Sequence, residues 1–159
     1  MMMSKNVIVV LVWVMMGLAD AQNRPKDYVN AHNVARATVG VGPLVWNETL
    51  TQYAREYAHV RSADCAMQHS DGPYGENLAA GSWNVSAKEA VDMWLDEKPL
   101  YDENTGDCIG GGLDCRHYTQ VMWGDSKCLG CAHTHCPDGW TFITCNYDPP
   151  GNYIGERPY

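Results

Sequence analysis

Seven cysteines, at positions 65, 108, 115, 128, 131, 136 and 145 of a 159-residue chain, are the strongest constraint on what this sequence can fold into. Each pair that oxidises must bring two Cα atoms to within roughly 4–7 Å, so the cysteines limit which segments can be neighbours. Whether they oxidise depends on the compartment. The chain opens with Lys5, an apolar run from Val7 to Leu18 broken by Gly17, and then Ala19-Asp20-Ala21, a small-x-small cleavage site. Residues 1–21 therefore read as a secretory signal peptide, with Gln22 as the first mature residue. The run is shorter than the roughly 20 apolar residues that span a bilayer. Export takes the thiols into an oxidising compartment, where they pair, and an odd count leaves one over.

Residues 22–159 make one domain with room for a core. The segment 1–21 carries Lys5 and Asp20, so the net charge of −8 belongs entirely to the mature part and shows no basic cluster. Such a surface repels phosphates, which argues against nucleic acid and anionic membranes as electrostatic partners. Two sequons, Asn47-Glu48-Thr49 and Asn84-Val85-Ser86, are glycosylation candidates.

Tyr28, Ala31, His32 and Ala35 recur at helical spacing between Pro25 and Ala37, and Gly40-Val41-Gly42-Pro43 ends that helix. Asn47 is a plausible N-cap for a second helix to about Ala63. Ser86-Ala87-Lys88-Glu89 forms a capping box for a third, whose stripe is Ala90, Val91, Trp94 and Leu95 and which Pro99 stops. A shorter helix is expected from Arg116 to Trp123, after a Gly-rich loop at Ile109 to Gly112. Leu129 to His135 and Trp140 to Asn146 read as a hairpin around Pro137-Asp138-Gly139. Helices followed by strands, without a βαβ rhythm, indicate an α+β domain.

Three groupings could carry chemistry. Cys128 and Cys131 with His133, His135 and Cys136 have the donor types of a zinc knuckle, although oxidised cysteines are not thiolate ligands. Cys128 and Cys131 also match a redox pair but lack its βαβ context. His69 and Glu76 flank a Gly/Pro loop, Glu97 ends the third helix and His117 follows Cys115 and Arg116. Converging, these two imidazoles and two carboxylates would suit a divalent metal or acid/base work; apart, they are solvated side chains. Ser70 beside His69 raises a hydrolase reading, without a nucleophile elbow to support it.

The segments 116–123 (RHYTQVMW) and 142–153 (FITCNYDPPGNY), with Ala31-His32-Asn33, Trp46 and Gly75-Glu76-Asn77-Leu78, resemble landmarks of the CAP superfamily of cysteine-rich secretory proteins, antigen 5 and plant pathogenesis-related class 1 proteins. The likeness spans residues 22–159, and the short ending without a further domain is similar to the plant class.

That resemblance implies a three-layer α-β-α sandwich with a small antiparallel sheet, stapled by Cys65–Cys136, Cys108–Cys115 and Cys131–Cys145. Cys128 is then the cysteine left over: a free thiol, a dimer link in an otherwise monomeric protein, or a competitor that swaps with Cys131. It also implies that His69, Glu76, Glu97 and His117 surround one cleft, which in some members holds Zn²⁺. No cofactor is required. The implied role is non-enzymatic defence in the plant extracellular space (the apoplast), against fungi and oomycetes. Sterols or other lipids of the pathogen surface or membrane would be the partners. Leu100 and Tyr101, in the loop after the third helix, are lipid-contact candidates, with Trp94 suiting the core better. Residues 149–159 resemble a signalling peptide released by some plant members. A secreted protease using the His/Glu cleft is the enzymatic alternative.

Overall fold

The computed structural model describes residues 22–159; the expected signal peptide at 1–21 lies outside the described residues. Helix α1, Pro25–Ala37, starts with proline at its first position, where no amide hydrogen is needed, and Asp27 reaches back to the Arg24 N–H. Helix α2, Glu48–Arg61, is capped by Asn47, whose Oδ1 accepts the Leu50 N–H at 3.1 Å. Helix α3, Ala87–Leu95, opens on the capping box read from the sequence: Ser86 Oγ accepts the Glu89 N–H, and Glu89 returns a carboxylate to the Ser86 N–H at 2.8 Å. Helix α4 is Arg116–Met122.

Four strands form the main sheet in the order β1 (Val45–Trp46), β5 (Cys128–His135), β6 (Thr141–Asp148), β2 (Gly75–Gly81). The hairpin β5–β6 is the expected one, in the register Cys131 opposite Cys145. Strand β2 pairs antiparallel along the whole of β6, and β1 adds a parallel edge, so the expected antiparallel sheet is mixed at one side. A second ribbon, β3 (Tyr101–Asp102) with β4 (Asp107–Cys108), lies between α3 and α4 in the chain. Strand β2 carries no strand signal in the sequence, because Gly-Glu-Asn-Leu-Ala-Ala-Gly has weak β-propensity. Its burial is what favours the strand, with five of its seven residues buried.

Strand β6 alternates between two cores. Phe142 faces Leu78, Tyr57 and the Cys65–Cys136 disulfide on the α2 side. Ile143, Cys145 and Tyr147 face the larger core with Tyr28, Ala90, Trp94 and Tyr118 of α1, α3 and α4. A sheet buried on both faces by helices is the three-layer sandwich. Helix α2 lies so close to β5 that a Cβ on Gly130 would sit 2.3 Å from the Thr51 nitrogen, which only glycine permits.

The disulfides are Cys65–Cys136, Cys108–Cys115 and Cys131–Cys145, and Cys128 is free and half-buried. Cys131 and Cys136 are thereby removed from any zinc knuckle, and Cys128 with Cys131 is not a redox pair. Cys131 lies opposite Cys145 in the β5–β6 ladder, and that strand register decides its partner.

The most demanding buried group is Arg36. Its side chain is fully enclosed, with Nε donating to the Gly42 carbonyl, Nη1 to those of Val121 and Trp123, and Nη2 to that of Ser126. Val121 is in the last turn of α4 and Trp123 caps it, so the cation sits where that helix concentrates negative partial charge.

Candidate functional site

The four candidate residues form two separate His–Glu pairs, one on the edge strand β2 and one between α3 and α4. Glu76, on β2, meets His69 Nδ1 at 2.7 Å and also accepts the Ser70 N–H at 2.9 Å. Its side chain is 6% exposed, whereas that of His69 is 54% exposed, so the pair is a buried acid under an accessible imidazole. Burial pushes the Glu76 carboxyl up, but the hydrogen bonds from His69 and Ser70 outweigh it and hold the acid below its ordinary value. The same hydrogen bond raises His69 above its usual range, against the opposing effect of burial.

The second pair is built between helices. Glu97 follows α3, accepts the N–H groups of His117 (3.0 Å) and Tyr118 (3.2 Å) through Oε2, and meets His117 Nδ1 at 2.6 Å through Oε1. An acid from outside thus caps the first turn of α4 and fixes the imidazole in the same stroke.

Asn77 joins the two pairs. It follows Glu76 on β2, so its side chain turns to the opposite face, where Nδ2 donates to the His117 carbonyl at 2.9 Å and to the Tyr147 hydroxyl at 3.2 Å. Tyr147 also donates to His32 Nε2 at 2.8 Å, because His32 Nδ1 must give its proton to the Tyr28 carbonyl. His32 is wholly buried, and burial lowers its pKa to about 4, which keeps it neutral. The chain His32–Tyr147–Asn77 therefore runs from α1 across one face of the sheet to the backbone of His117. Asn77 and Tyr147 lie within the family landmarks, but no sequence spacing marks them as partners.

Each histidine turns Nδ1 to a carboxylate, which leaves Nε2 for a ligand. Among the described residues, however, no three His, Cys, Asp or Glu side chains gather closely enough to hold a metal ion. As placed, each histidine is held by its own carboxylate, and the two pairs stand as separate His–Glu units. Beside Glu76, the buried Asn146 presents Nδ2 to Oε2 at 3.5 Å and keeps an unpartnered Oδ1. The Ser70 hydroxyl accepts from Tyr53 at 2.9 Å, and Ser70 otherwise serves Glu76.

The lipid-contact candidates are placed very differently. Trp94 is buried, with its indole N–H on the Leu78 carbonyl at 2.8 Å. Tyr101 is buried beside the rings of Tyr118 and Tyr159. Leu100 is 42% exposed on the turn Lys98–Leu100.

An apolar groove of about 520 Å³ lies elsewhere, between α1 and α3. Ala31, Val34, Ala35 and Leu95 supply its apolar surface, and Asp27, Asn30, Thr38, Lys88 and Asp92 its polar rim. These residues follow each helix at i, i+3/i+4 spacing, one stripe away from the core-facing Tyr28, His32 and Arg36. Val34, 72% exposed, is the signal that sequence reasoning passed over.

Asn47 is occupied as a helix cap, and Asn84 is exposed in the loop before α3. The segment 149–159 is irregular and tied down. Gly151 donates to Gln120 Oε1, Asn152 accepts from Thr119, Arg157 donates to the Glu103 and Asn104 carbonyls, and the Pro158 carbonyl accepts from Gly124. No helix among the described residues is long and apolar enough to cross a membrane.

Residues 29–147 match the model of the Cysteine-rich secretory protein family, CAP. The chain is 58% identical over 139 residues to the basic form of pathogenesis-related protein 1 of Nicotiana tabacum, covering 87% of this chain and 77% of that protein. It is 50% identical over 158 residues to a pathogenesis-related protein of PR-1 type from Sambucus nigra, covering 98% and 94%. Among solved structures, venom allergen-like protein 4 of Schistosoma mansoni superposes with a TM-score of 0.66 at 27% identity, over 85% of this chain and 92% of that one.

Proposed function

The chain belongs to the CAP family, in its plant pathogenesis-related 1 class, and on that premise we propose that it is an exported, non-enzymatic defence protein that binds sterols or related lipids of fungal and oomycete membranes. The observation that carries this reading is the groove between α1 and α3. Its volume of about 520 Å³ falls within the ~300–1,000 Å³ usual for small-molecule pockets. Its surface combines an apolar floor with a polar rim, which suits a ligand that is a hydrocarbon body with one hydroxyl or acid group. Leu95 ends α3 just before the loop that presents Leu100, so the groove and the only exposed member of the loop candidates share one end of the helix.

Binding is the reading preferred over catalysis: among the described residues no hydroxyl or thiol is hydrogen-bonded to the imidazole of His69 or His117. The hydroxyl of Ser70 is engaged by Tyr53. Defence follows from depletion: a protein that removes sterol from a membrane weakens the organism that depends on it.

Native mass spectrometry of the full mature chain, disulfides intact and ergosterol added, tests the reading. A one-to-one adduct that Val34→Asp abolishes and His69→Ala retains is expected. No adduct at all would remove the proposed mechanism. Hydrolysis of a peptide substrate that disappears in His69→Ala would favour the protease alternative.

A further inference from the structure

We infer that Asn47 carries an N-linked glycan whose first sugars lie in a hollow along the outer face of α2. Asn47-Glu48-Thr49 is one of the two sequons. The cap on α2 uses only the side-chain oxygen of Asn47, which accepts the Leu50 N–H at 3.1 Å. Nδ2, the atom that takes a sugar, donates no hydrogen bond among the described residues. One amide therefore serves both purposes, because a glycosylated asparagine keeps its carbonyl oxygen and the helix keeps its cap. In the transfer, Nδ2 loses a proton and bonds C1 of the sugar. The C1–O bond to a lipid-diphosphate donor of the secretory pathway breaks, and the lipid diphosphate leaves.

The hollow starts at the sequon itself. Glu48, Thr49, Gln52, Tyr53 and Glu56 of α2 line it together with Tyr74, and its volume is about 500 Å³. From Thr49 to Glu56 the helix rises roughly 10 Å, a length that matches the paired N-acetylglucosamines at the core of an N-glycan. Its wall is an aromatic corner already held in place. The rings of Tyr53 and Tyr74 meet edge to face, with centroids 5.1 Å apart at 81°, and Tyr53 donates to Ser70 Oγ at 2.9 Å. Gly72 passes so close to that hydroxyl that a Cβ would lie 1.8 Å from it. Pyranose C–H groups and acetyl methyls are slightly positive and pack on the negative faces of such rings. Sugar hydroxyls need acceptors, and this face of α2 supplies them. Glu48 Oε1 accepts from the Trp46 indole and Glu56 Oε1 from Gln52 Nε2, which leaves Glu48 Oε2, Glu56 Oε2 and Gln52 Oε1 without a donor among the described residues. A sugar tethered one residue before the hollow has a high local concentration there, so weak contacts hold it. Asn84 differs, because the two residues after it, Val85 and Ser86, are buried and offer no such lining.

The test uses residues 22–159 secreted from plant cells behind a leader those cells already use, with the disulfides intact. Peptides released by peptide N-glycosidase A in heavy-oxygen water should show Asn47 converted to labelled aspartate in most of the protein. Thr49→Val, which spares the cap, should lose that glycan. Packing is read separately by NMR on the intact glycoprotein: acetyl methyl protons of the first sugars should show nuclear Overhauser contacts to the Tyr53 and Tyr74 rings, and an upfield shift that Tyr74→Ala removes. A secreted chain with unmodified Asn47, or a glycan whose methyl resonances lack those contacts and are the same with and without the Tyr74 ring, would overturn the inference.

Discussion

Replacing Arg36 by methionine, close in length but uncharged and without donors, should destabilise this protein more than almost any surface change. Four carbonyls, at Gly42, Val121, Trp123 and Ser126, now accept from one enclosed guanidinium at 2.8–3.1 Å. Each acceptor left without a donor in a buried setting costs about 1–3 kcal/mol. Relief from burying a cation, and water entering near the end of α4, offset part of that sum. The net loss should be about 3–5 kcal/mol, as when one partner of a buried charged network is removed. At about 2–4 °C per kcal/mol for a domain approaching 150 residues, the melting temperature should drop by about 6–20 °C. Guanidinium unfolding with the disulfides intact measures the free energy directly, with the exposed Arg55→Met as the reference change, expected within about 0.5 kcal/mol of the parent. A stability for Arg36→Met equal to that of Arg55→Met would refute the claim that these four bonds organise the α1–α4 junction.

Other perturbations separate the remaining parts of the account. His32 has its pKa depressed to about 4 from 6.5, so the unfolded chain takes up its proton first as the pH falls. Stability should therefore decline between pH 6.5 and about 4 by about 3 kcal/mol, and His32→Gln should flatten that slope in pH-dependent unfolding curves. The His69–Glu76 pair behaves differently. A raised His69 stabilises fully below 6.5 and loses its effect as pH rises through its folded pKa; a lowered Glu76 stabilises above 4.5 and loses its effect as pH falls through its own. The contribution of the pair should then peak between 4.5 and 6.5, and a His69→Gln protein whose stability tracks the parent across that window would contradict the coupling. Removing the disulfides one at a time should cost most for Cys65–Cys136, which closes 71 residues, less for Cys131–Cys145 with 14, and least for Cys108–Cys115 with 7. Loop-closure entropy sets these losses at about 4, 3 and 2 kcal/mol, and thermal unfolding of the paired alanine variants would show the order. One equivalent of thiol reagent should react with the native chain, and none with Cys128→Ser.

Helices were the legible part of this sequence, because their signals are local. Pro25, Asn47 and the Ser86/Glu89 box each announce a start within one turn. Strand β2 was not, because nothing in Gly-Glu-Asn-Leu-Ala-Ala-Gly prefers an extended backbone until β6 offers it a ladder. The same distinction runs through the site. His69, Glu76, Glu97 and His117 could be named through the resemblance, yet their division into two pairs across β2 depends on which face each strand position takes. Asn77 illustrates the point: it supports His117 from 40 residues away, a separation that no periodicity encodes. The groove was hidden for a related reason, since the stripe read on α1 mixes Tyr28 and His32, which face the core, with Ala31 and Ala35, which line the groove. Leu100 and Tyr101 are consecutive, and packing under Tyr118 and Tyr159 is what buries the second.

The central claim, that the groove between α1 and α3 takes the lipid, is tested most directly by mapping backbone and methyl NMR shifts as ergosterol is titrated into the isotope-labelled chain. The account requires the largest changes at Ala31, Val34, Ala35 and Leu95, with little at His69 and His117. Perturbations centred on the two His–Glu pairs, or on Leu100 alone with the groove silent, would contradict it.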